Sequence, residues 1–186
     1  KTLEDLGLLV REVPFGENSA RSKRGLYRVR DPFFAYWYKF VSPNVGAVEA
    51  GVGAQAMQKR ALGDSLLTYE GKIFELVCLQ WIKRVNRHSE LPFLATEFGR
   101  WWGTNPAKRE QTDIDVVAAD AIDKTILLGE CKWRNSFNET EALQALMERS
   151  NLISDYDTKW FYLFSKLPVS KATQDKVGSD VRFVHA

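Results

Sequence analysis

Four charged residues on two neighbouring apolar segments are the strongest candidates for chemistry in this sequence. Asp113 and Asp115 lie in a β-branched run, and Glu130 and Lys132 lie in a second apolar run beyond a polar tip at residues 120–124. Two such runs around a polar tip predict an antiparallel hairpin. Acidic groups and an ammonium group on paired strands could bind a divalent metal or polarise a phosphate.

The position of the turn decides which of these residues face each other. A turn about the midpoint between Ile122 and Asp123 pairs residues whose numbers sum to 245, which places Asp115 opposite Glu130. Opposed residues project on one side of the sheet with Cβ atoms about 5 Å apart. Alternation along each strand adds Asp113 and Lys132 to the same side. The sequence therefore predicts one cluster of three carboxylates and an ammonium group.

Two readings of this cluster stay open at this point. Opposed carboxylates repel each other and destabilise a hairpin unless a cation lies between them. A divalent metal with oxygen ligands is one such cation. The Lys132 ammonium is another, in which case Asp115, Glu130 and Lys132 form an ordinary charged face on a solvated hairpin.

The composition is that of a globular protein with balanced charge. The 186 residues are 45% hydrophobic and 12% aromatic, enough for one domain and a small appendage. Lys and Arg number 26 against 24 Asp and Glu, so a surface that binds nucleic acid must be local; Lys108 and Arg109 in a polar loop are candidates. Two cysteines favour a reducing compartment, and hence a cytoplasmic location, over a disulfide framework. No apolar run reaches the roughly 18 residues of a membrane span.

Residues 1–30 have the pattern with which a winged helix ends. A short helix stops at Gly7, and two short strands flank a basic loop that contains Arg21, Lys23 and Arg24. Wings of this kind contact DNA phosphates, so these three residues are predicted to bind nucleic acid, with a plain solvated hairpin as the alternative. Because the chain begins within a helix, we expect it to be a fragment of a longer polypeptide.

Residues 31–64 are predicted to form a helical connector. Asp31 is a good N-cap and Pro32 a good first residue for a helix that is aromatic on nearly every side. Such a helix is expected to be buried in a core or covered by a partner domain. A second helix, rich in small residues, is predicted over 45–60.

Residues 65–186 are predicted to form a third region with the element order α-β-β-β-α-β-α-β. Its first helix has a clear 3.6-residue apolar period, with Glu70 near the centre of the stripe and Glu75 at its flank. Either glutamate could reach a site at the sheet edge, and a solvated charge is the alternative for both. Gln144 lies near the start of the next helix, which Asn138 caps.

This order and these residues resemble a known superfamily. A helix with Glu75, strands with Asp115 and then Glu130-x-Lys132, and a following helix and strand resemble the PD-(D/E)xK, or restriction-endonuclease-like, nucleases. More narrowly, the runs at 27–34, 98–103, 113–118 and 128–133 resemble the C-terminal domain, of uncharacterised function, of archaeal-type AAA+/STAND ATPases. One departure is Ile114, which stands where some nucleases carry the name-giving proline.

The resemblance implies an α/β (α+β) restriction-endonuclease-like core with a mixed central sheet, and a metal-dependent DNA endonuclease activity. Asp115 and Glu130 would hold Mg²⁺ or Mn²⁺, and Lys132 would orient the attacking water or stabilise the transition state. Glu75 would hold a second metal or position water, and Gln144 would contact the DNA backbone.

The resemblance also implies that an ATPase domain and the front of a winged helix precede residue 1. It leaves room for an alternative of another class, a non-catalytic DNA-binding or regulatory module of that ATPase. In that case the carboxylate cluster has only a structural role.

Overall fold

The computed structural model describes residues 2–60 and 63–186, and the chain forms two compact units. The first unit contains the chain up to Val13 and residues 18–73, and the second contains residues 14–17 and 74–186. The predicted wing and the predicted connector thus share the first unit with the start of a long helix. The division at residues 30 and 64 stays a prediction.

The first unit begins with the predicted order of helix, strand, basic loop and strand. Helix α1 (Thr2–Asp5) ends before Gly7, which has a positive φ of 71°. A glycine in this left-handed conformation commonly terminates a helix. Strands β1 (Leu9–Glu12) and β2 (Leu26–Val29) pair antiparallel. Arg11 donates to two carbonyls of the intervening loop, which fixes the loop against β1.

The connector is more broken than the sequence predicts. Helix α2 (Pro32–Tyr36), which Asp31 caps, continues as a π-helical turn (Trp37–Val41) and a 3-10 turn (Ser42–Asn44). The single helix predicted over 45–60 is wrong, because Gly51 has a φ of +75°. This glycine separates α3 (Val45–Glu49) from α4 (Gly53–Arg60).

The aromatic side chains of α2 and the π-helical turn are mostly exposed. Phe33 is 63% exposed and Tyr38 67%, whereas Phe40 is 3% exposed and packs edge-on against Tyr69. Of the two predicted outcomes, burial in a core of this chain therefore does not hold for most of them, and cover by a partner domain stays a prediction. A two-stranded sheet and short helices offer too little apolar surface to cover every side of an aromatic helix.

The second unit is built on a five-stranded mixed sheet. The strands lie in the order β3-β4-β5-β6-β7; β3, β4 and β5 are antiparallel, and β5, β6 and β7 are parallel. Their bounds are Glu97–Asn105, Glu110–Asp120, Thr125–Lys132, Thr158–Ser165 and Val181–His185. With α5 (Asp64–Arg87), α6 (Glu139–Arg149) and α7 (Lys171–Gln174), they confirm the predicted element order and the mixed sheet.

The central hairpin has the register that the position of its turn predicts. Val117 pairs with Leu128 and Asp120 with Thr125. The Asp120 carboxylate accepts hydrogen bonds from the backbone N–H groups of two turn residues, Ile122 and Asp123, both at 2.9 Å. An aspartate that caps its own turn in this way is a common device for reversing the chain.

Two other predictions in this unit need correction. The polar loop predicted around Lys108 and Arg109 is short, because Gly103 pairs with Thr112 and the ladder continues to Asn105 and Glu110. Only residues 106–109 form the turn. The helix predicted between the last two strands is limited to the four residues of α7. Asn138 caps α6 as predicted, by accepting a hydrogen bond from the Glu141 N–H at 3.1 Å.

Helices α5 and α6 cover opposite faces of this sheet. On one face, Val116 and Leu127 pack against Ile82 of α5. On the other, Leu128 packs with Leu146 of α6. Burial of β4 and β5 on both faces explains their near-continuous apolar sequence. None of the helices in the described parts of the chain has the length and apolarity to cross a bilayer.

Candidate functional site

A β-bulge in β4 decides where the acidic side chains point. Between two regular stretches of pairing with β3, Arg100 alone faces Asp115 and Val116. Ile114 and Val117 would lie on opposite faces of a regular strand, yet both pack in the cluster on the α6 side. Bulges redirect single side chains in this way and are frequent beside functional sites.

The first group of charges lies on the α5 side of the sheet. Arg100 Nη2 lies 3.2 Å from Glu75 Oε2 and 3.6 Å from Asp113 Oδ2. Of the two candidate glutamates on α5, Glu75 pairs with a residue of the sheet, and Glu70 belongs to the first unit. The buried Nε atom of Arg100 has no hydrogen-bond partner among the described atoms.

The second group lies on the α6 side and centres on Glu130, which is 5% exposed. Its Oε1 accepts a hydrogen bond from Lys132 Nζ at 2.5 Å, and its Oε2 accepts one from Arg149 Nη2 at 2.6 Å. Arg149 also donates to the Asp113 carbonyl at 2.7 Å. The guanidinium thus connects α6 to both β4 and β5.

The prediction that Asp113 shares one side with Glu130 and Lys132 is wrong. The Asp113 side chain interacts with Arg100, on the α5 side, while Lys132 stays with Glu130 on the α6 side. The physical reason is the bulge, whose extra residue breaks the alternation on which the prediction rested.

Asp115 interacts with both groups. Its carboxylate is 8% exposed, and Oδ2 accepts a hydrogen bond from the Cys131 N–H at 2.9 Å. Burial, followed by the negative charges of Glu130 and Glu75, raises the pKa of Asp115 to about 7. Near neutral pH this group is therefore poised to take up a proton or a cation.

Sequence reasoning missed Arg100 and Arg149. Arg149 follows Leu146 by three residues, so it continues the apolar face of α6, and a cation on such a face is a sign of a buried partner. Arg100 stands within the otherwise uncharged run Phe-Gly-Arg-Trp-Trp-Gly at 98–103. Both positions could have been found by asking which charges interrupt an apolar stripe.

An open cleft of about 410 Å³ lies beside the second group, between the end of β5 and α6. Both Glu130 and Lys132 line it, together with Arg149, Arg134 and Lys108. The acids Glu110, Glu141 and Glu148 complete its charged lining. The cleft is therefore polar, balanced in charge, and open to a ligand.

Of the second unit's residues that are predicted to bind nucleic acid, one lines this cleft. Lys108 lines it and pairs with Glu148 at 2.9 Å. Arg109 occupies the β3–β4 turn, and Gln144 is exposed on α6 but is not among the lining residues. The other three, Arg21, Lys23 and Arg24, are exposed on the β1–β2 loop of the first unit.

The donor set for a metal is limited. Within residues 2–60 and 63–186, no three Asp, Glu, His or Cys side chains form a group that could hold a metal ion. The carboxylates predicted to hold a metal are those of Asp115 and Glu130, of which Glu130 is held by two cations. A metal bound to Glu130 would share an oxygen with Lys132 or Arg149, or displace one of them.

Comparison with known proteins gives a family and one distant relative. The model of DUF234, described as archaea bacterial proteins of unknown function, matches residues 37–144. The protein MJECL04 of Methanocaldococcus jannaschii, itself described as uncharacterized, is 28% identical over 179 residues. These residues are 94% of this chain but 38% of that protein, so the chain spans well under half of the relative's length. No solved structure matches the chain.

Proposed function

This chain belongs to the DUF234 family of archaeal and bacterial proteins of unknown function, and from its site we propose that residues 74–186 are a metal-dependent DNA endonuclease. The observation that carries the proposal is the buried Asp115 carboxylate, whose pKa of about 7 reflects burial and the charges of Glu130 and Glu75. Perturbed carboxylates of this kind are concentrated at functional sites. A restriction-endonuclease-like core and an ATPase domain elsewhere in the parent protein are part of the same proposal.

The chemistry of the donors fits a hard divalent cation. Asp115 and Glu130 offer carboxylate oxygens, which are the ligands that Mg²⁺ and Mn²⁺ prefer. A cation between them would relieve the repulsion that contributes to the raised pKa of Asp115. When bound, such a metal would polarise a phosphate and lower the pKa of a water molecule.

The chain's own residues have distinct parts in this proposal. Lys132 Nζ lies at the cleft and within hydrogen-bond distance of Glu130, so it can donate to a phosphate oxygen or orient a water. Arg149 holds Glu130 in place, and Arg100 does the same for Glu75. A donor aimed at developing charge is worth about 3–4 kcal/mol of barrier.

The first test is cleavage by the Lys132→Ala variant. We expect purified protein with Mg²⁺ or Mn²⁺ to cut supercoiled plasmid or branched DNA, and the variant to be slower by a factor of about 10²–10³. Lys176 is exposed and lies after β6 in the sequence. The matched control Lys176→Ala should therefore cut at the wild-type rate. If wild-type protein cuts neither DNA with Mg²⁺ and neither with Mn²⁺, the endonuclease proposal is refuted.

A specific observation favours the second candidate, a non-catalytic DNA-binding or regulatory module. Both carboxylate oxygens of Glu130 already bind cations of the protein itself, Lys132 and Arg149. In this case the charge cluster connects α6 to the sheet and needs no metal. Titration calorimetry with Mn²⁺ separates the two: heat of binding that Asp115→Asn abolishes supports the endonuclease, and no heat together with unchanged DNA affinity of the variant supports the module.

A further inference from the structure

A second surface of residues 74–186 has features of a binding site that the cleavage site does not use. A groove of about 780 Å³ runs along the C-terminal half of α5 and reaches β3. Its apolar lining is Val77, Trp81 and Phe98, and its cationic lining is Lys83, Arg84 and Arg87. The remaining lining residues are amides, so no acidic side chain of the described residues lines this groove.

The lining of this groove concentrates positive charge. Among the described residues it holds three cations and no acidic residue, in a sequence whose net charge is +2. Lys83 and Arg87 are four residues apart on one helix face. At this spacing two like charges destabilise an isolated helix. Neither Arg84 nor Arg87 forms an ion pair within the described part of the chain, and Lys83 Nζ lies 5.6 Å from the centre of the Phe98 ring.

The helix macrodipole explains only part of this arrangement. Arg84 and Arg87 lie in the last turn of α5, where positive charge is favourable. That effect needs neither Lys83 nor an adjacent apolar floor. Val77, in that floor, is 52% exposed, although water is a poor neighbour for such a side chain. A ligand with both apolar and anionic parts would satisfy the floor and the cations together.

We propose that this groove binds an unpaired stretch of DNA, with phosphates on the cations and bases over the apolar floor. Proteins that bind single strands combine a cationic groove with aromatic side chains against which bases stack. In a duplex the base faces are stacked on one another, so a duplex cannot stack its bases on this floor. The proposal rests on the endonuclease only for the choice of DNA over RNA, and binding here requires neither metal nor cleavage.

The groove also lies close to the proposed site along the chain. Phe98 precedes Arg100 by two residues on β3. Alternate residues of a β-strand share a face. A DNA strand bound in the groove would therefore lead towards the Glu75–Arg100 pair.

The test is fluorescence anisotropy with a labelled 20-nucleotide single strand in EDTA, where cleavage cannot occur. The variant Lys83→Gln/Arg84→Gln/Arg87→Gln should bind about 100-fold more weakly at 0.1 M salt, with the slope of log affinity against log salt reduced by about 2. Each single substitution should weaken binding about fivefold. The control is Lys124→Gln/Lys171→Gln/Lys176→Gln, three exposed cations elsewhere in the unit, which should retain affinity within a few fold.

Each outcome decides the proposal. It is overturned if the two triple variants lose affinity equally, because overall charge then explains binding. Tighter binding of a 20-base-pair duplex, or of RNA of the same sequence, also overturns it. If wild-type protein binds the single strand as predicted but cuts no DNA with any metal, the groove stands and the endonuclease falls.

Discussion

Replacing Asp115 by asparagine tests the physical basis of the site directly. Asparagine has nearly the same shape and keeps an oxygen that can accept the Cys131 N–H, so the hydrogen bond of 2.9 Å can persist. What it removes is the ionisation of a buried group. The free energy of unfolding of the variant should therefore respond less to pH than that of the wild type.

The size of the effect follows from the pKa of Asp115 in the two states. The carboxyl has a pKa of about 7 in the folded protein and 3.8 as its reference value. Between pH 3.8 and about 7 the folded state retains a proton that the unfolded chain releases. The stability that the protonated group contributes is therefore fully present below pH 3.8 and is lost as pH rises to about 7. At about 1.4 kcal/mol per pH unit, the wild type loses about 4 kcal/mol that Asp115→Asn does not lose.

Urea unfolding at pH 4.5, 6, 7 and 8, in buffers without divalent metal, measures this difference. Relative to wild type, Asp115→Asn should become progressively more stable up to pH 7 and then hold a constant advantage. The matched control Asp123→Asn, at an exposed carboxylate of the hairpin turn, should follow the wild-type curve. If the difference in free energy of unfolding between Asp115→Asn and wild type is the same at pH 4.5 and pH 8, burial does not perturb the pKa of this carboxyl.

Two further substitutions test the packing around the site, and a third on α5 serves as a comparison. Arg149→Met should lower the free energy of unfolding by about 3–5 kcal/mol, because it leaves the buried Glu130 with one cation; a loss under 1 kcal/mol in urea unfolding would contradict this. Gly129→Ala should cost about 1–3 kcal/mol, since an added Cβ would lie 2.9 Å from Phe164 Cε2. Gly71→Ala on α5 meets no atom within 4 Å and should instead stabilise by about 0.5–1 kcal/mol, so equal shifts of the two urea midpoints would refute the packing argument.

The parts of the fold that the sequence predicts are those with local signals. The β4–β5 register follows from the position of a polar tip between apolar runs, and the Asp120 side chain caps the turn as such tips commonly do. Helix α5 follows from its apolar period and α6 from its Asn138 cap. In each case a few neighbouring residues determine the structure, so no knowledge of distant contacts is needed.

The parts that the sequence does not predict depend on contacts between distant segments. The bulge opposite Arg100 has no compositional mark, since Asp115 and Val116 would suit a regular strand equally well. It nevertheless separates Asp113 from Glu130. Whether Phe33 on α2 is buried likewise depends on the size of the surface available to cover it, which amino-acid pattern does not reveal.

The connectivity of the central sheet has a kinetic consequence. Four residues join β4 to β5, whereas 25 residues separate β5 from its parallel neighbour β6. Short loops close sooner than long ones, and a hairpin forms in about 1–10 μs. Asp115 and Glu130, which lie on the two strands of this hairpin, are therefore brought together early, while both are still hydrated. The penalty for dehydrating them falls on the later step in which α5 and α6 dock. The rate of that docking step should thus depend on pH more strongly than the closure of the hairpin.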